Sequence, residues 1–269
     1  MEINKINKDA ISLLKLIESN NYQAFIVGGA IRDLALNITP VDYDICTNMP
    51  ITLLEDLFKS MIVETKGKSF LSIKVKYKNK IYEITNTRTE NEYKKPGYPS
   101  STQLTNSIHE DLRRRDFTIN ALAYSPSLGL IDDYNSLNDI ENRILRTIGN
   151  PFRRFSEDPS RILRGIRFAS SINLMIEENT LNAMILIAPE IKKLSYNKVM
   201  KEFIRILELE DISIAIDILD KINFFEIMWG LKTELKEKIY KENLNNLKLS
   251  THNVDSRLAI LFRLSSTNI

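Results

Sequence analysis

The sequence predicts an α+β fold in which a first part built around a small mixed sheet is followed by an all-helical half. The apolar run Ala24–Val27 and the alternating segment 71–77 have the patterns of a buried and a half-buried strand. After residue 140 the strand patterns stop, and segments such as 162–172 and 199–207 repeat apolar residues with the helical period. The chain has 269 residues, 43% of them hydrophobic, which suffices for a sizeable core divided over two or more domains.

The composition argues against several classes of protein. No apolar run approaches the roughly 18 residues of a membrane-spanning helix, and the first residues lack the basic and then apolar pattern of a signal peptide. Two histidines and one cysteine are too few for a zinc site. The single cysteine, Cys46, excludes an internal disulfide and predicts a cytoplasmic location. The net charge of +2 does not by itself indicate nucleic-acid binding.

The first elements alternate between helix and strand. Segment 3–20 carries apolar residues at helical spacing and predicts a helix that packs on the core. The strand Ala24–Val27 leads through paired glycines into a short predicted helix at 30–36. A second strand is predicted at 41–45 and a further helix at 51–58.

The following segments predict a hairpin, a long loop and another unit of helix and strand. Strands 71–77 and 81–85 are predicted to be joined by a turn at Asn79-Lys80. Segment 86–105 is polar and aromatic and predicts a loop, and loops of this length are usually functional or disordered. We expect it to act as a lid or lever near the site. Segment 113–120 opens the last helix-then-strand unit before the helical half.

The first candidate site runs from the glycine pair to the second strand. Alternation along a strand points Asp42 and Asp44 to one face about 7 Å apart, where they can bind a hard cation such as Mg2+ together with substrate phosphates. Gly28 and Gly29 let the backbone and the following helix N-terminus approach a phosphate, and Arg32 offers a planar fork of donors. Each feature alone is more often a plain turn or an exposed strand edge. Their occurrence in one short segment predicts a phosphate site beside a metal site.

Two further residues of the first half are each open to two interpretations. Glu83 is either a third carboxylate beside the aspartate pair or a strand-edge glutamate. Arg115 either forms a structural pair with Asp116 or binds a phosphate.

A stripe of arginines marks the helical half. In a helix predicted over 157–168, residues spaced by three form one oblique row of Asp158, Arg161, Arg164 and Arg167. Basic clusters are usually solvated faces. However, one acid among three arginines leaves this row without internal neutralisation, so we expect it to face an anionic ligand.

Three motifs in register resemble a known family. They are Val27-Gly-Gly-Ala-Ile-Arg-Asp33 with Asp42-Tyr-Asp44, Arg114-Arg-Asp-Phe-Thr-Ile-Asn120, and Glu157-Asp-Pro-Ser-Arg161-Ile-Leu-Arg164. In order and spacing, over residues 20 to 210, they resemble the class II tRNA nucleotidyltransferases (CCA-adding enzymes) and the related bacterial poly(A) polymerases. The resemblance implies a polymerase-β-like nucleotidyltransferase head at 1–148, a helical neck at 149–210 for recognition of the nucleotide base, and a short helical body at 211–269.

The resemblance also implies an activity and a set of site residues. The chain would add CMP and AMP from CTP and ATP to the 3′ end of tRNA, releasing pyrophosphate and using Mg2+. Asp42 and Asp44 would bind the metal, and Glu83 is kept as a candidate third catalytic carboxylate. The nucleotide-binding residues would be Gly29, Arg32, Arg115, Arg164 and Arg167, with Asp158 and Arg161 reading the base. A carboxylate that accepts from an exocyclic amine, beside a guanidinium that donates to a ring nitrogen, suits cytosine and adenine and opposes uracil and guanine.

The sequence also departs from the family pattern. Asp133-Tyr-Asn-Ser136 stands where relatives usually have a glycine pair, and Ser195-Tyr-Asn-Lys-Val199 stands where they tend to have an acid and an arginine. The sequence ends at Ile269, where relatives continue into helices that grip tRNA, so we expect either a truncated form or help from elsewhere in holding RNA.

Four alternatives stay open beside complete CCA addition. They are a poly(A) polymerase, an enzyme that adds only part of CCA, a nucleotidyltransferase of small molecules, and a non-catalytic RNA-binding module. Enzymes that add only the two cytidines tend to have a shortened segment at the position of 86–105. The segment has its full length in this sequence, which favours complete addition.

Overall fold

The structure, a computed structural model, describes residues 5–65, 71–90, 93–263 and 265. Backbone contacts divide the chain into two compact units. The head unit comprises Met1–Glu92 and Ser100–Asn142, and the helical unit comprises Tyr93–Pro99 and Arg143–Ile269. The predicted division into 1–148, 149–210 and 211–269 stays a prediction. Parts of the predicted N-terminal helix (residues 3–4), of the loop at 86–105 (residues 91–92) and of the body (264 and 266–269) lie outside the described residues.

The strands of the described residues are short. They are β1 (Ala24–Val27), β2 (Asp44–Thr47), β3 (Ile62–Thr65), β4 (Ser72–Tyr77), β5 (Lys80–Asn86), β6 (Arg88–Glu90), β7 (Tyr93–Lys95), β8 (Tyr98–Pro99), β9 (Thr102–Leu104), β10 (Leu122–Ser125), β11 (Gly129–Asp132), β12 (Ile144–Leu145) and β13 (Met175–Ile176).

Helices account for most of the second half. The α-helices are α1 (Lys8–Glu18), α2 (Gly29–Ala35), α3 (Ile51–Leu57), α4 (Ile108–Arg113), α5 (Ser136–Glu141), α6 (Pro151–Glu157), α7 (Ser160–Ser171), α8 (Glu178–Ile187), α9 (Tyr196–Leu207), α10 (Ser213–Lys221), α11 (Phe224–Trp229), α12 (Leu231–Glu234), α13 (Glu237–Lys248) and α14 (Val254–Leu261). Segments Thr118–Asn120 and Ala188–Lys193 form tighter 3-10 turns. The α+β class predicted from the sequence is confirmed.

A mixed sheet organises the head unit. In the part of the head that the structure describes, it has the order β11-β10-β1-β2-β5-β4-β3, and β2 and β5 run parallel while the other neighbours are antiparallel. All four residues of β1 are buried, as the apolar run predicted. The helix α1 packs against β1, and its residues Ala10, Leu13, Leu14 and Ile17 are buried. The sheet thereby fixes the start of β2 beside β5, where the candidate acidic residues lie.

Two details of the predicted head differ from the structure. The second strand begins at Asp44 rather than residue 41, and Val41 is 92% exposed, whereas Tyr43 and Ile45 are buried. The hairpin turn consists of Lys78 and Asn79, because Tyr77 pairs with Lys80 and Lys78 adopts the left-handed conformation. The register is therefore set one residue earlier than Asn79-Lys80.

The prediction of a loop at 86–105 is wrong for the described residues. Strand β6 pairs with β9 in the head unit, and β7 pairs with β8 in the helical unit, so the segment contains two antiparallel pairs. Short strands of two or three residues carry too little alternation to be recognised from sequence. We call residues 93–99 the 93–99 hairpin.

The helical unit contains two features that the helical period did not indicate. Strands β12 and β13 form a short parallel pair within it. The helix predicted over 157–168 is interrupted, since α6 ends at Glu157, Asp158 is extended (φ −145°, ψ 95°) and α7 begins at Ser160. The interruption follows from Pro159, because a residue that precedes proline is disfavoured in the helical conformation.

Candidate functional site

Three carboxylates form what we call the acidic cluster of the head unit: Asp42, Asp44 and Glu83. Asp44 opens β2 and is paired in register with Glu83 on the parallel strand β5. Asp42 lies two residues earlier, before the strand begins, and both aspartates are exposed. The surrounding protein, and then the negative charges of Asp42 and Glu83, raise the pKa of Asp44 to about 6, although Arg115 acts in the opposite direction. The cluster therefore concentrates negative charge that a cation would relieve.

The carboxylate oxygens of the acidic cluster are suitable ligands for a magnesium ion that also binds phosphates. Within the described residues, no group of three or more histidine, cysteine, aspartate or glutamate side chains is arranged to hold a metal by itself. Mg2+ is commonly bound by one or two carboxylates plus water and phosphate oxygens rather than by a complete protein cage. Asp42 and Asp44 have the required chemistry, and the structure places Glu83 next to Asp44 without assigning it to a metal.

The glycine pair lies beside two guanidinium groups. Gly28 has φ +68°, and a Cβ atom there would lie 2.9 Å from Nη1 of Arg115. A Cβ atom on Gly29 would lie 3.5 Å from Nη2 of Arg32. Gly28 is therefore the position that requires glycine, because a side chain there would be strained and too close to Arg115. Gly29 is the nucleotide-binding residue that the sequence predicts. Two positive groups at a backbone without side chains make a suitable place for a phosphate.

Arg32 and Arg115 are both held by other side chains of the head. Arg32 donates to Asp33 through Nε (2.9 Å) and Nη2 (2.7 Å), and through Nη1 to the side-chain oxygen of Asn120 (2.8 Å). Arg115 donates to Asp111 (3.0 Å), which has a completely buried side chain. Although burial alone would raise it, the charges of Arg115 and Arg114 and their hydrogen bonds lower the pKa of Asp111. Asp111 was not among the residues that the sequence singled out.

The second group, which we call the Asp158 cluster, lies in the helical unit and comprises Glu157, Asp158, Arg161, Lys198 and Tyr93. Oδ1 of Asp158 accepts hydrogen bonds from the backbone N–H (3.0 Å) and hydroxyl (2.6 Å) of Ser160. Nζ of Lys198 lies 3.1 Å from Oδ1 and 3.2 Å from Oδ2 of the same carboxylate. Asp158 is therefore oriented by two elements, the start of α7 and the first turn of α9.

Arg161 is almost completely buried, with 6% of its surface exposed. Its Nη1 donates to the carbonyl of Arg154 (2.9 Å) and to Glu157 (3.3 Å), and its Nη2 donates to the hydroxyl of Tyr93 (3.0 Å). Its guanidinium also lies 5.5 Å from the centre of the Tyr93 ring. Burial alone would raise the pKa of Glu157, but hydrogen bonds from Arg153 and Arg154 and the nearby positive charges lower it. Arg161 is thus fixed in place by partners on both sides.

The expectation that the arginine stripe is not neutralised is wrong for two of its members. Arg161 pairs with Glu157, and Arg167 pairs with Glu202 of α9 (3.1 Å) and stacks on Phe168 (4.5 Å to the ring centre). Arg164 is half-buried. The prediction from sequence considers only the acid within the stripe, whereas the neutralising acids are Glu157 of the preceding helix and Glu202 of α9.

The structure thus distributes the predicted site residues over both units. Asp42, Asp44, Glu83, Gly29, Arg32 and Arg115 lie in the head unit, and Asp158, Arg161, Arg164 and Arg167 lie in the helical unit. Sequence reasoning missed the partners that hold them, namely Asp111 and Asn120 in the head and Glu157, Tyr93 and Lys198 in the helical unit. A signal existed for Asp111, which precedes Arg115 by one helical turn.

Comparison with known proteins shows which family this chain resembles. Residues 24–146 match the family of the poly A polymerase head domain. A CCA-adding enzyme of Staphylococcus epidermidis is 35% identical over 82% of this chain and 55% of its own length. A CCA-adding enzyme of Oceanobacillus iheyensis is 33% identical over 96% of this chain and 64% of its own length. The chain therefore spans between about half and two thirds of the length of these curated relatives.

A solved structure supports the fold over most of the chain. The Bacillus stearothermophilus CCA-adding enzyme in complex with CTP superposes with a TM-score of 0.76 and 29% identity, over 86% of this chain and 55% of that one. The fold is accordingly a polymerase-β-like head followed by a helical neck. Among the described residues, no helix is long and apolar enough to cross a membrane.

Proposed function

We propose that the chain belongs to the family of class II tRNA nucleotidyltransferases and bacterial poly(A) polymerases and that it is a CCA-adding enzyme. It transfers CMP and AMP from CTP and ATP to the 3′ end of tRNA and releases pyrophosphate. The observation that carries the proposal is the pair of exposed carboxylates at the start of β2, beside a glycine pair flanked by two arginines, within residues matched by the head-domain family.

In the proposed reaction the 3′-hydroxyl oxygen of the RNA attacks the α-phosphorus of the nucleotide. The bond to the pyrophosphate oxygen breaks, and the hydroxyl proton passes to solvent. Mg2+, held by Asp42 and Asp44, would supply charge neutralisation at the triphosphate and lower the pKa of the attacking hydroxyl. Arg32 and Arg115 bind phosphate oxygens at the glycine pair, which includes Gly29, and Glu83 adds negative charge beside Asp44.

The helical unit supplies the choice of base in this proposal. Asp158 accepts a hydrogen bond from the exocyclic amine of cytosine or adenine, and Arg161 donates to the neighbouring ring nitrogen. Arg164 contributes positive charge toward the nucleotide, whereas Arg167 is paired with Glu202. Uracil and guanine present a carbonyl where the amine is needed, so Asp158 and the base would oppose one another as two acceptors. A cytoplasmic location remains a prediction, supported by the free and buried Cys46.

The test is extension of a tRNA that ends at its discriminator base. The purified chain receives Mg2+ and CTP alone, ATP alone or both, and product length is read at single-nucleotide resolution. We expect growth by three nucleotides only when both are supplied, and no growth with Asp42→Ala. Two added cytidines without adenosine would make the chain a partial enzyme, and a long adenosine ladder would make it a poly(A) polymerase. No extension by the wild-type chain would contradict the proposal.

A further inference from the structure

Lys198 connects three parts of the helical unit through one ammonium group. Its Nζ lies 3.1 and 3.2 Å from the two oxygens of Asp158 and donates to the carbonyl of Gly97 (2.8 Å). The amide of Gly97 in turn donates to the carbonyl of Glu157 (2.8 Å). Lys198 therefore joins the first turn of α9 to the 93–99 hairpin and to the extended residue between α6 and α7.

The packing around Gly97 shows how closely these groups approach. Gly97 has φ +80°, and a Cβ atom there would lie 2.5 Å from Nζ of Lys198, 2.9 Å from Leu194 and 3.1 Å from Oδ1 of Asp158. The hairpin can reach the carboxylate and the lysine together only because this position has no side chain. Lys198 is also largely shielded, with 26% of its side chain exposed.

The contacts of Asp158 leave its two oxygens in different states. Among the described residues, Oδ1 accepts from the backbone and hydroxyl of Ser160 and from Lys198, whereas Oδ2 accepts from Lys198 alone. A carboxylate oxygen has about two lone-pair sites in the carboxylate plane. Oδ1 is therefore saturated, and Oδ2 keeps capacity for one more donor, such as the amine of a base.

We propose that Lys198 is a positioning residue for base selection, which holds the Asp158 carboxylate so that Oδ2 is presented to the base and which ties the 93–99 hairpin to that carboxylate. The inference rests on the proposed role of Asp158 in reading the base. A lysine at this position holds both carboxylate oxygens and a backbone carbonyl with three separate donors. An uncharged side chain of similar length would remove the contact that holds Oδ2 of Asp158, while Ser160 would still donate to Oδ1.

The experiment compares four variants of the complete chain with wild type. Lys198→Met removes the positive charge and Lys198→Arg keeps it. Gly97→Ala places a methyl group where Nζ of Lys198 lies and so displaces the lysine from Asp158. The matched control is Lys201→Met, on an exposed lysine of the same helix. Equilibrium binding of CTP and of UTP is measured for each variant, together with the ratio of kcat/KM for CTP over UTP on tRNA. Thermal unfolding confirms that each variant is folded.

We expect the preference for CTP over UTP to fall about tenfold in Lys198→Met and in Gly97→Ala, since one oriented hydrogen bond is lost. Lys198→Arg should restore most of it, and Lys201→Met should match wild type. A general loss of stability would weaken both nucleotides alike and would leave the ratio unchanged. An unchanged ratio in folded Lys198→Met, or an affinity for CTP that rises there, would overturn the proposal.

The binding measurement separates this inference from the proposed function. If the wild-type chain binds CTP in preference to UTP but does not extend tRNA, CCA addition is refuted, and the four variants still decide the role of Lys198. If tRNA is extended and Asp158→Ala lowers base preference while Lys198→Met does not, CCA addition stands and the role of Lys198 is refuted.

Discussion

The acidic cluster of the head and the Asp158 cluster of the helical unit are both built from charged side chains, but they balance charge in opposite ways. In the acidic cluster, the surrounding protein and then the charges of Asp42 and Glu83 raise the pKa of Asp44 to about 6, although Arg115 acts in the opposite direction. In the Asp158 cluster, each acid is paired, since Glu157 accepts from Arg154 (2.7 Å) and Asp158 accepts from Lys198 (3.1 Å). The carboxylates of the acidic cluster act on one another, whereas each acid of the Asp158 cluster accepts from at least one basic side chain.

The difference corresponds to two kinds of binding. Like charges held together cost free energy until a cation arrives, so the acidic cluster suits a divalent cation, which the proposed function takes to be Mg2+. The Asp158 cluster has its polar groups oriented in advance, which favours discrimination between bases of similar size. Neutralising an acid should therefore have opposite effects on stability in the two clusters, and the following predictions test that contrast.

The largest expected effect is on catalysis in the head. Asp42→Ala and Asp44→Ala should each lower the rate of nucleotide addition about a thousandfold or more, because metal-assisted charge neutralisation contributes several kcal/mol to phosphoryl transfer. Initial rates of pyrophosphate release with CTP and tRNA would measure this. The control is Asp56→Ala, on an exposed aspartate of α3. If both variants keep more than a tenth of the wild-type rate, the acidic cluster is not the metal site.

The second effect is on the stability of the helical unit. Glu157→Gln should lower the free energy of unfolding by about 2 to 3 kcal/mol, because Arg154 and Arg161 are largely buried and lose a shared carboxylate. Urea unfolding followed by circular dichroism would measure it. Glu178→Gln, on an exposed glutamate of α8, is the matched control. Equal stability of the two variants would show that the Asp158 cluster does not depend on this charge balance.

A third effect concerns selectivity rather than rate. Asp158→Ala should lower the preference for CTP over UTP about ten- to a hundredfold, because a site that hydrogen-bonds a polar group rejects a mismatched base strongly. Competition between the two nucleotides in single-nucleotide extension of tRNA would measure the ratio. Arg32→Lys, in the head, is the useful comparison, since it should weaken both nucleotides alike. If Asp158→Ala weakens CTP and UTP equally, the base is read elsewhere.

Local patterns were sufficient for the residues that the backbone alone arranges. Alternation predicted Asp42 and Asp44 on one face of a strand, and both are exposed, but the strand begins at Asp44 and Val41 is 92% exposed. The interruption at Asp158-Pro159 could have been predicted from the preference of residues before proline. The helical period instead predicts one continuous helix, because apolar residues on both sides of the two-residue break at 158–159 keep the same spacing.

The partners of the site residues could not be predicted in the same way. Arg161 contacts Tyr93, which lies 68 positions away, and Asp158 contacts Lys198, which lies 40 positions away. Such pairs depend on how helices and a hairpin pack, and neither period nor spacing encodes them. The arginine stripe was for this reason expected to need an external anion, although Glu157 and Glu202 neutralise two of its members.

The smallest expected effect is a gain in stability in the head. Asp44 has a folded-state pKa of about 6, above its ordinary value of 3.8. A carboxyl whose pKa is raised by folding contributes stability that is present below pH 4 and lost as the pH rises through 6. Asp44→Asn should therefore be more stable than wild type at pH 8 without metal. The two pKa values correspond to at most about 3 kcal/mol, and solvent screening of this exposed side chain reduces the expected gain to about 1 kcal/mol.

Thermal unfolding at pH 4 and at pH 8, with and without Mg2+, separates this effect from ordinary changes in packing. The gain of Asp44→Asn should be present at pH 8 and absent at pH 4, where the wild-type carboxyl is protonated in the folded chain. Mg2+ should stabilise wild type more than Asp44→Asn, because ligands that bind the folded state raise its stability. Asp56→Asn should show neither dependence. A gain of equal size at both pH values would mean that it arises from packing, and the contrast between the acidic cluster and the paired acids of the Asp158 cluster would then fail.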